Sequence, residues 1–138
     1  MRKIKFTDIT LREASAGQEN SLSFKEVIET AKTLDRIGVD TICLAPIVNE
    51  KVDTLLVRTI TSAVKKSAVS IPAGLTKESA QAAWNAISDA PRKRLCVEMP
   101  VSAVQMEYAC KMRPAKAAEA AKELVAFCRT LCHDVEFA

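Results

Sequence analysis

One histidine, three glycines and six aromatic residues are spread over 138 positions. The single histidine, His133, leaves no paired-histidine metal motif to read. Three Gly and five Pro exclude collagen-like and low-complexity chains. No apolar run reaches the ~18 residues that span a bilayer. The start, Met1-Arg2-Lys3-Ile4-Lys5-Phe6, has no apolar core, so no secretory leader is expected. The aromatics do not interleave with the densest basic stretch, Arg92-Lys93-Arg94, so there is no stacking platform for bases. Nucleic acid and membrane are therefore not expected partners. The basic stretch reads as a solvated loop before a strand.

What is present is ordinary for a globular core: 49% hydrophobic and 27% charged residues, with net charge +3. The length suits one domain. The five cysteines, at 43, 96, 110, 128 and 132, are odd in number and mostly flanked by apolar residues. They read as small buried thiols in a reducing compartment, hence cytoplasm. Cys128, Cys132 and His133 share one short stretch. They lack the second ligand pair of a structural zinc site, so they read as core.

Strand-like and helix-like periods alternate along the chain. Lys3 to Leu11 fits a first strand, which places Asp8, Thr10 and Arg12 on one strand face. Ser23-Phe24-Lys25-Glu26 is a capping box. The helix it opens has Phe24, Val27, Ile28, Ala31, Leu34 and Ile37 on one face and ends at Gly38. Asp40 to Pro46 is a short apolar run, Thr-Ile-Cys-Leu-Ala at its centre, as in a strand buried on both faces. Val52, Leu55, Leu56, Ile60 and Val64 form a second helical stripe. Val69 to Leu75 is a third strand, weakened by Pro72. Thr76 caps a third helix, with Ala80, Ala83, Trp84 and Ile87 inward; Trp84 reads as core. Arg94 to Val101 is a fourth strand. Pro114 opens a long helix to Leu131, with Ala118, Ala121, Leu124, Val125 and Cys128 as its stripe. Asp134 to Ala138 is a fifth strand.

The result is an α/β chain of parallel units, five strands and four helices, with right-handed crossovers. Two architectures use this order: an open doubly wound sheet, such as a flavodoxin-like unit, and the first half of a (β/α)8 TIM barrel. The doubly wound fold usually carries a Gly-rich phosphate loop after its first strand. Here Thr10 to Gly17 offers one Gly and no G-x-G-x-x-G, so dinucleotide binding is poorly supported. Residues 1–138 thus read as one partial barrel domain. A complete barrel typically has ~250 residues.

Barrel enzymes place functional side chains at the carboxyl ends of strands. That rule selects Arg12 and Glu13, Cys43 to Pro46, Glu98 to Ser102, and Glu136. Arg12 suits the stabilisation of a developing enolate oxygen or a carboxylate, and Glu13 suits a divalent cation. The plain alternative is a structural ion pair from Asp8 to a neighbouring strand. Tyr108 and Glu107 follow the fourth strand in a loop, where an aromatic either covers the rim or touches substrate. Ser102 either caps that loop or bonds substrate.

Asp8-Ile9-Thr10-Leu11-Arg12-Glu13 resembles the strand-one signature of the isopropylmalate synthase, homocitrate synthase and hydroxymethylglutaryl-CoA lyase family. The resemblance continues through Ser21 to Glu26, Leu34 to Asp40, Ser102 to Tyr108 and Asp134 to Ala138. It implies a TIM barrel and a metal-dependent Claisen-type condensation of acetyl-CoA with a 2-oxo acid, or a lyase-type cleavage. It implies that Arg12 polarises a substrate oxygen, that Glu13 binds the divalent ion (Mg, Mn or Zn), and that Glu136 lies near substrate. Ser102 and Tyr108 fall in the matching substrate segment.

Several positions depart from the family pattern. Ala14-Ser15-Ala16 replaces an acidic turn, with Gln18 two places late. Cys43 stands for an acidic residue, and Cys96 and Gln105 stand for two histidines. The family's two metal-binding histidines belong to a later strand. The expectation is an amino-terminal half of a synthase-like barrel, inactive alone. The competing expectation is a non-catalytic half-barrel whose open strand edges are covered by a second copy or a partner chain.

Overall fold

The computed structural model describes residues 3–16, 22–108 and 111–138. Gly17, Gln18, Ser21 and Cys110, which figure in the sequence reading, lie outside the described residues.

The elements run β1 (Thr7–Asp8), α1 (Thr10–Ala16), α2 (Phe24–Ile37), β2 (Thr41–Cys43), α3 (Glu50–Ala63), β3 (Ala68–Pro72), α4 (Lys77–Ile87), β4 (Lys93–Val97), α5 (Ala103–Tyr108), α6 (Pro114–Leu131) and β5 (Val135–Phe137). All strand pairs are parallel, and the sheet order is β1-β2-β3-β4-β5. A doubly wound sheet reverses its strand order at a switch point. This one does not, and α2, α3, α4 and α6 pack against one another in succession. The architecture is a partial (β/α) barrel, and the flavodoxin-like alternative is set aside.

Helix ends follow local chemistry. Ser23 Oγ accepts the Glu26 N–H, and the Glu26 carboxylate accepts the Ser23 N–H at 2.8 Å, completing the capping box. Gly38 ends α2 at φ 85°, the left-handed conformation that glycine adopts without a Cβ penalty. Asn49 and Thr76 cap α3 and α4 through side-chain oxygens. Asp35, on α2, is buried and accepts the backbone N–H groups of Lys65, Lys66 and Ser67 at 3.0, 2.8 and 2.7 Å. That clamp fixes the turn between α3 and β3.

The sheet has two unlike faces. Ile42, Val69, Ile71, Leu95 and Val97 pack with Val27, Leu34, Val57, Ile60, Ala83, Ile87 and Leu124 in one apolar core. Period-2 alternation puts Thr41, Cys43, Ser70, Arg94, Cys96 and Glu136 on the opposite face, the inner wall of a barrel.

Five sequence expectations need correction. The first strand is Thr7–Asp8 rather than Lys3 to Leu11. Asp8 accepts the Thr10 N–H at 3.0 Å and its hydroxyl at 3.1 Å, and the Ile9 carbonyl accepts the Glu13 N–H at 3.0 Å, so the chain leaves the sheet into α1. Thr10 and Arg12 therefore share a helix, not a strand face, and Asp8 makes a local cap rather than a cross-strand ion pair. Second, six helices are present among the described residues, because α1 and α5 are additional to the four expected. Third, the strands after residues 69 and 94 stop at Pro72 and Val97, short of Leu75 and Val101. Fourth, Phe24, Ile37, Val52 and Leu55 are exposed. The buried face of α3 runs through Val57, Ile60 and Thr61, and α6 buries Ala117 rather than Ala118. Fifth, Arg92-Lys93-Arg94 is not a solvated loop. Arg92 donates to the Lys66 carbonyl at 2.7 Å, Lys93 donates to the Ser88 carbonyl, and Lys93 and Arg94 lie in β4.

Trp84 is half-buried against the core, with Lys93 Nζ 5.0 Å from its ring centroid. Cys128 and Cys132 are buried core residues, as expected.

Candidate active site

The carboxyl ends of the strands surround a crevice of about 600 Å³. Its charged lining residues are Arg12 and Glu98, and Gln105 adds an amide. Pro46, Pro72, Leu75, Met99 and Pro100 supply apolar wall. On the other side of Arg12, a cleft of about 380 Å³ is lined by Val27, Leu44, Val57 and Ile60 and is largely apolar.

Arg12 reaches the crevice from α1, which packs on β2. Its two terminal nitrogens form a fork with the Glu98 carboxylate: Nη1 meets Oε1, and Nη2 meets Oε2 at 3.0 Å. Both side chains keep about a third of their surface exposed, at 33% and 34%. A bidentate guanidinium–carboxylate pair is the strongest form of this contact. The Glu98 carboxylate holds the Arg12 guanidinium well above its usual range, against the opposing effect of burial.

Two buried thiols flank the pair. Burial pushes the Cys43 thiol up, while its contact with the Arg12 guanidinium pulls it back. Burial pushes Cys96 up to about 12, and the negative charges of Glu98 and Glu136 add to that. The Cys96 Sγ lies 3.8 Å from Glu98 Oε1. Neither thiol is therefore an activated nucleophile.

Glu136 sits on the same sheet face but is committed elsewhere. Its Oε2 accepts from Arg94 Nη1 at 3.1 Å, and Asp134 Oδ1 accepts from Arg94 Nε at 2.9 Å. Asp134 chiefly, with Glu136, raises the Arg94 guanidinium. Ser102 Oγ accepts the Gln105 N–H at 3.2 Å, so Ser102 caps α5. Tyr108 is the last residue of α5, 76% exposed and outside the crevice lining. It lies on a helix where a loop was expected.

Glu13 is 63% exposed, and its Oε1 lies 3.8 Å from Arg12 Nε. A divalent ion needs several converging oxygen or nitrogen donors. Among the described residues no three His, Cys, Asp or Glu side chains converge on one point. A guanidinium beside Glu13 further disfavours a cation there. The residues present do not by themselves fit a divalent-ion site.

The structure thus brings Arg12 to the crevice, leaves Glu13 beside Arg12 but outside the crevice lining, keeps Glu136 apart beside Arg94, and leaves Ser102 and Tyr108 out. Glu98 as the partner of Arg12, and Arg94 as the partner of Glu136, were not legible as pairs. The available signal was the alternation Arg94, Cys96, Glu98 through β4 and the residue after it, which sets polar groups on one side of an otherwise apolar segment.

The profile of the HMGL-like family matches residues 3–138. Over 127 residues the chain is 34% identical to a 2-isopropylmalate synthase of Halalkalibacterium halodurans, covering 92% of this chain and 25% of that protein. It is 31% identical over 137 residues to a 2-isopropylmalate synthase of Shouchella clausii, covering 99% of this chain and 27% of that protein. A 2-isopropylmalate synthase of Pyrococcus furiosus is 31% identical over 136 residues, again 99% of this chain and 27% of that protein. The chain spans about a quarter of the length of the curated relatives it matches. No helix among the described residues is long and apolar enough to cross a membrane.

Proposed function

This chain belongs to the HMGL-like family, and on that premise we propose that it is the amino-terminal portion of a 2-isopropylmalate synthase-like acyltransferase. The reaction is carbon–carbon bond formation between acetyl-CoA and a 2-oxo acid. The observation that carries the reading is the position of Arg12. Its guanidinium stands at the carboxyl edge of a sequentially ordered parallel sheet, facing a crevice with apolar walls. There it can take a ligand carboxylate or hold negative charge developing on a substrate oxygen.

The chain alone is inactive under this proposal. Glu13 has no converging partner donors among the described residues, so a divalent ion would need ligands from another segment. Glu136 is held by Arg94 and is free to act near substrate only if that pair opens. Ser102 and Tyr108 keep a substrate role only if α5 moves. The free, buried cysteines among the described residues suit a reducing, cytoplasmic setting.

The test is CoA release from acetyl-CoA with 2-oxoisovalerate, followed by mass spectrometry, with Mg, Mn or Zn supplied. The 138-residue chain should release none. The complete translation product of the gene should release CoA, and Arg12→Ala in it should abolish release. Turnover by the chain alone overturns its inactivity, and no turnover by the complete product overturns the synthase reading.

A second reading rests on the sheet edges. Among the described residues β1 and β5 have no neighbouring strand on one side, and Ile4, Phe6 and Phe137 near them are exposed. Such edges invite pairing, which favours a half-barrel module that self-associates or meets a partner chain. Light scattering showing a dimer, with a charge at Phe6 returning it to monomer, would support this reading. A stable monomer at high concentration would count against it.

A further inference from the structure

Arg12 already holds a carboxylate. Glu98, the residue after β4, meets both of its terminal nitrogens at once, Nη1 to Oε1 and Nη2 to Oε2 at 3.0 Å. A free carboxylate ligand makes the same fork on a guanidinium. Glu13 adds a second negative charge, with Oε1 3.8 Å from Arg12 Nε, and Cys43 engages the guanidinium as well. One cation thus faces two carboxylates, and the three charged side chains are together net negative. An incoming acid meets a surplus of its own charge and a fork that is filled.

The fork is placed to open. Both side chains line the crevice and keep about a third of their surface exposed. Exchanging Glu98 for a ligand carboxylate preserves the number and kind of hydrogen bonds on Arg12. The released Glu98 is not stranded, because Oε1 keeps the Cys96 thiol, whose Sγ lies 3.8 Å away, and water reaches the rest. The tethered carboxylate has the advantage of a high effective concentration. A free acid has the advantage of its tail, which can bury against Pro46, Pro72, Leu75 and Met99 in the same crevice.

We propose that Glu98 is a built-in competitor at Arg12: a tethered carboxylate that closes the anion site until a carboxylic acid with an aliphatic tail displaces it. The inference rests on the Arg12 crevice being where the proposed function takes its 2-oxo acid, and it adds the regulation of that site. The closed fork lowers the apparent affinity of every such acid by one shared factor, set by the fraction of molecules in which the fork is open. The burial of the tail then decides which acids still bind.

The test is isothermal titration of the chain with 2-oxoisovalerate, with circular dichroism checking that each variant is folded. Glu98→Gln removes the competing charge and should bind the acid about tenfold tighter than wild type. Glu13→Gln removes an equal charge but leaves the fork; because Glu13 is 63% exposed and screened by water, its gain should not exceed about twofold. Adding Arg12→Ala to Glu98→Gln should abolish binding. A crystal structure of wild type at saturating 2-oxoisovalerate needs no variant and should show Arg12 on the ligand carboxylate, with Glu98 released. An Arg12–Glu98 fork still closed with the acid bound overturns the proposal. So does equal or weaker binding by Glu98→Gln, or no binding by either protein. A gain in Glu13→Gln equal to that in Glu98→Gln replaces it with plain charge repulsion. CoA release by the complete translation product judges the synthase reading separately: turnover there, with no gain in Glu98→Gln, removes the competitor and leaves the reading standing.

Discussion

Arg94 on β4 and Glu136 on β5 meet across the sheet, Nη1 to Oε2 at 3.1 Å, on the face turned away from the helices. Only 18% of the Arg94 side chain is exposed, whereas Asp134 and Glu136 keep 50% and 44%. The cation is nearly enclosed, and its two carboxylates are half in water.

That asymmetry sets an order of mutational cost. Arg94→Met should destabilise by about 1–2 kcal/mol, less than a fully buried pair would lose, because water screens the two carboxylates left behind. Glu136→Gln should cost under about 1 kcal/mol, since Asp134 still holds Arg94. Urea denaturation midpoints measure both. Equal costs would show that Asp134 contributes nothing.

Asp35 gives a pH-dependent term. Burial pushes its carboxyl up, but the Ser67, Lys65 and Lys66 N–H groups together outweigh that and hold it below the usual carboxylate range. The folded-state pKa is thus lower than the unfolded one, so the charged form stabilises the fold above the unfolded value, about 3.9. The contribution is lost as pH falls from about 5 through the folded value. Asp35→Asn should lose stability at neutral pH and show a flatter decline between about pH 6 and 3. An unaltered slope in that variant would assign the acid sensitivity elsewhere.

The glycines separate strain from collision. Gly38 has φ 85° and open space where a Cβ would go, so Gly38→Ala should cost only backbone strain, about 1 kcal/mol. Gly74 has φ 72°, and a Cβ there would run into the Ser79 side chain. Ser79 Oγ is pinned by its bond to the Ala73 carbonyl at 2.8 Å. Gly74→Ala should therefore cost more, about 2 kcal/mol or above. Thermal unfolding of the two variants ranks them, and the reverse order would contradict the role given to Ser79.

The buried thiols should resist alkylation. With Cys96 at about 12 and enclosed, iodoacetamide at pH 8 should label it far more slowly in the folded chain than in urea. Cys43 and Cys128, also pushed up by burial, should follow. Peptide mapping assigns each site. Rapid native labelling of Cys96 would mean that the inner sheet face opens frequently.

Much of the fold was legible because its signals are local. The capping box at Ser23, the glycine at 38, the proline at 114 and the apolar runs of β2 and β4 each act within a few residues. They place α2, α6 and the strands without reference to distant chain. α1 and α5 were missed for the same reason. Thr10-Leu11-Arg12 continues a strand-like alternation, and only the Asp8 cap, competing for the same backbone, turns it into helix. The exposed ends of the apolar stripes, Phe24, Ile37 and Val52, show that period alone overestimates the face a short sheet can cover.

By itself the sequence determined the parallel α/β order, the helix boundaries set by caps, and the choice of Arg12, Glu13 and Glu136 as the residues to follow. Only the tertiary structure decided whom they meet. Arg12 and Glu98 are 86 residues apart, and Arg94 and Glu136 are 42 apart. No period or spacing encodes such pairs, because they exist only once strand register aligns Cys96 with Glu136 and Pro72 with Cys96. Register is the sum of many core contacts on the far face of the sheet. The partners of these charges were therefore settled by the packing of apolar residues that never touch them.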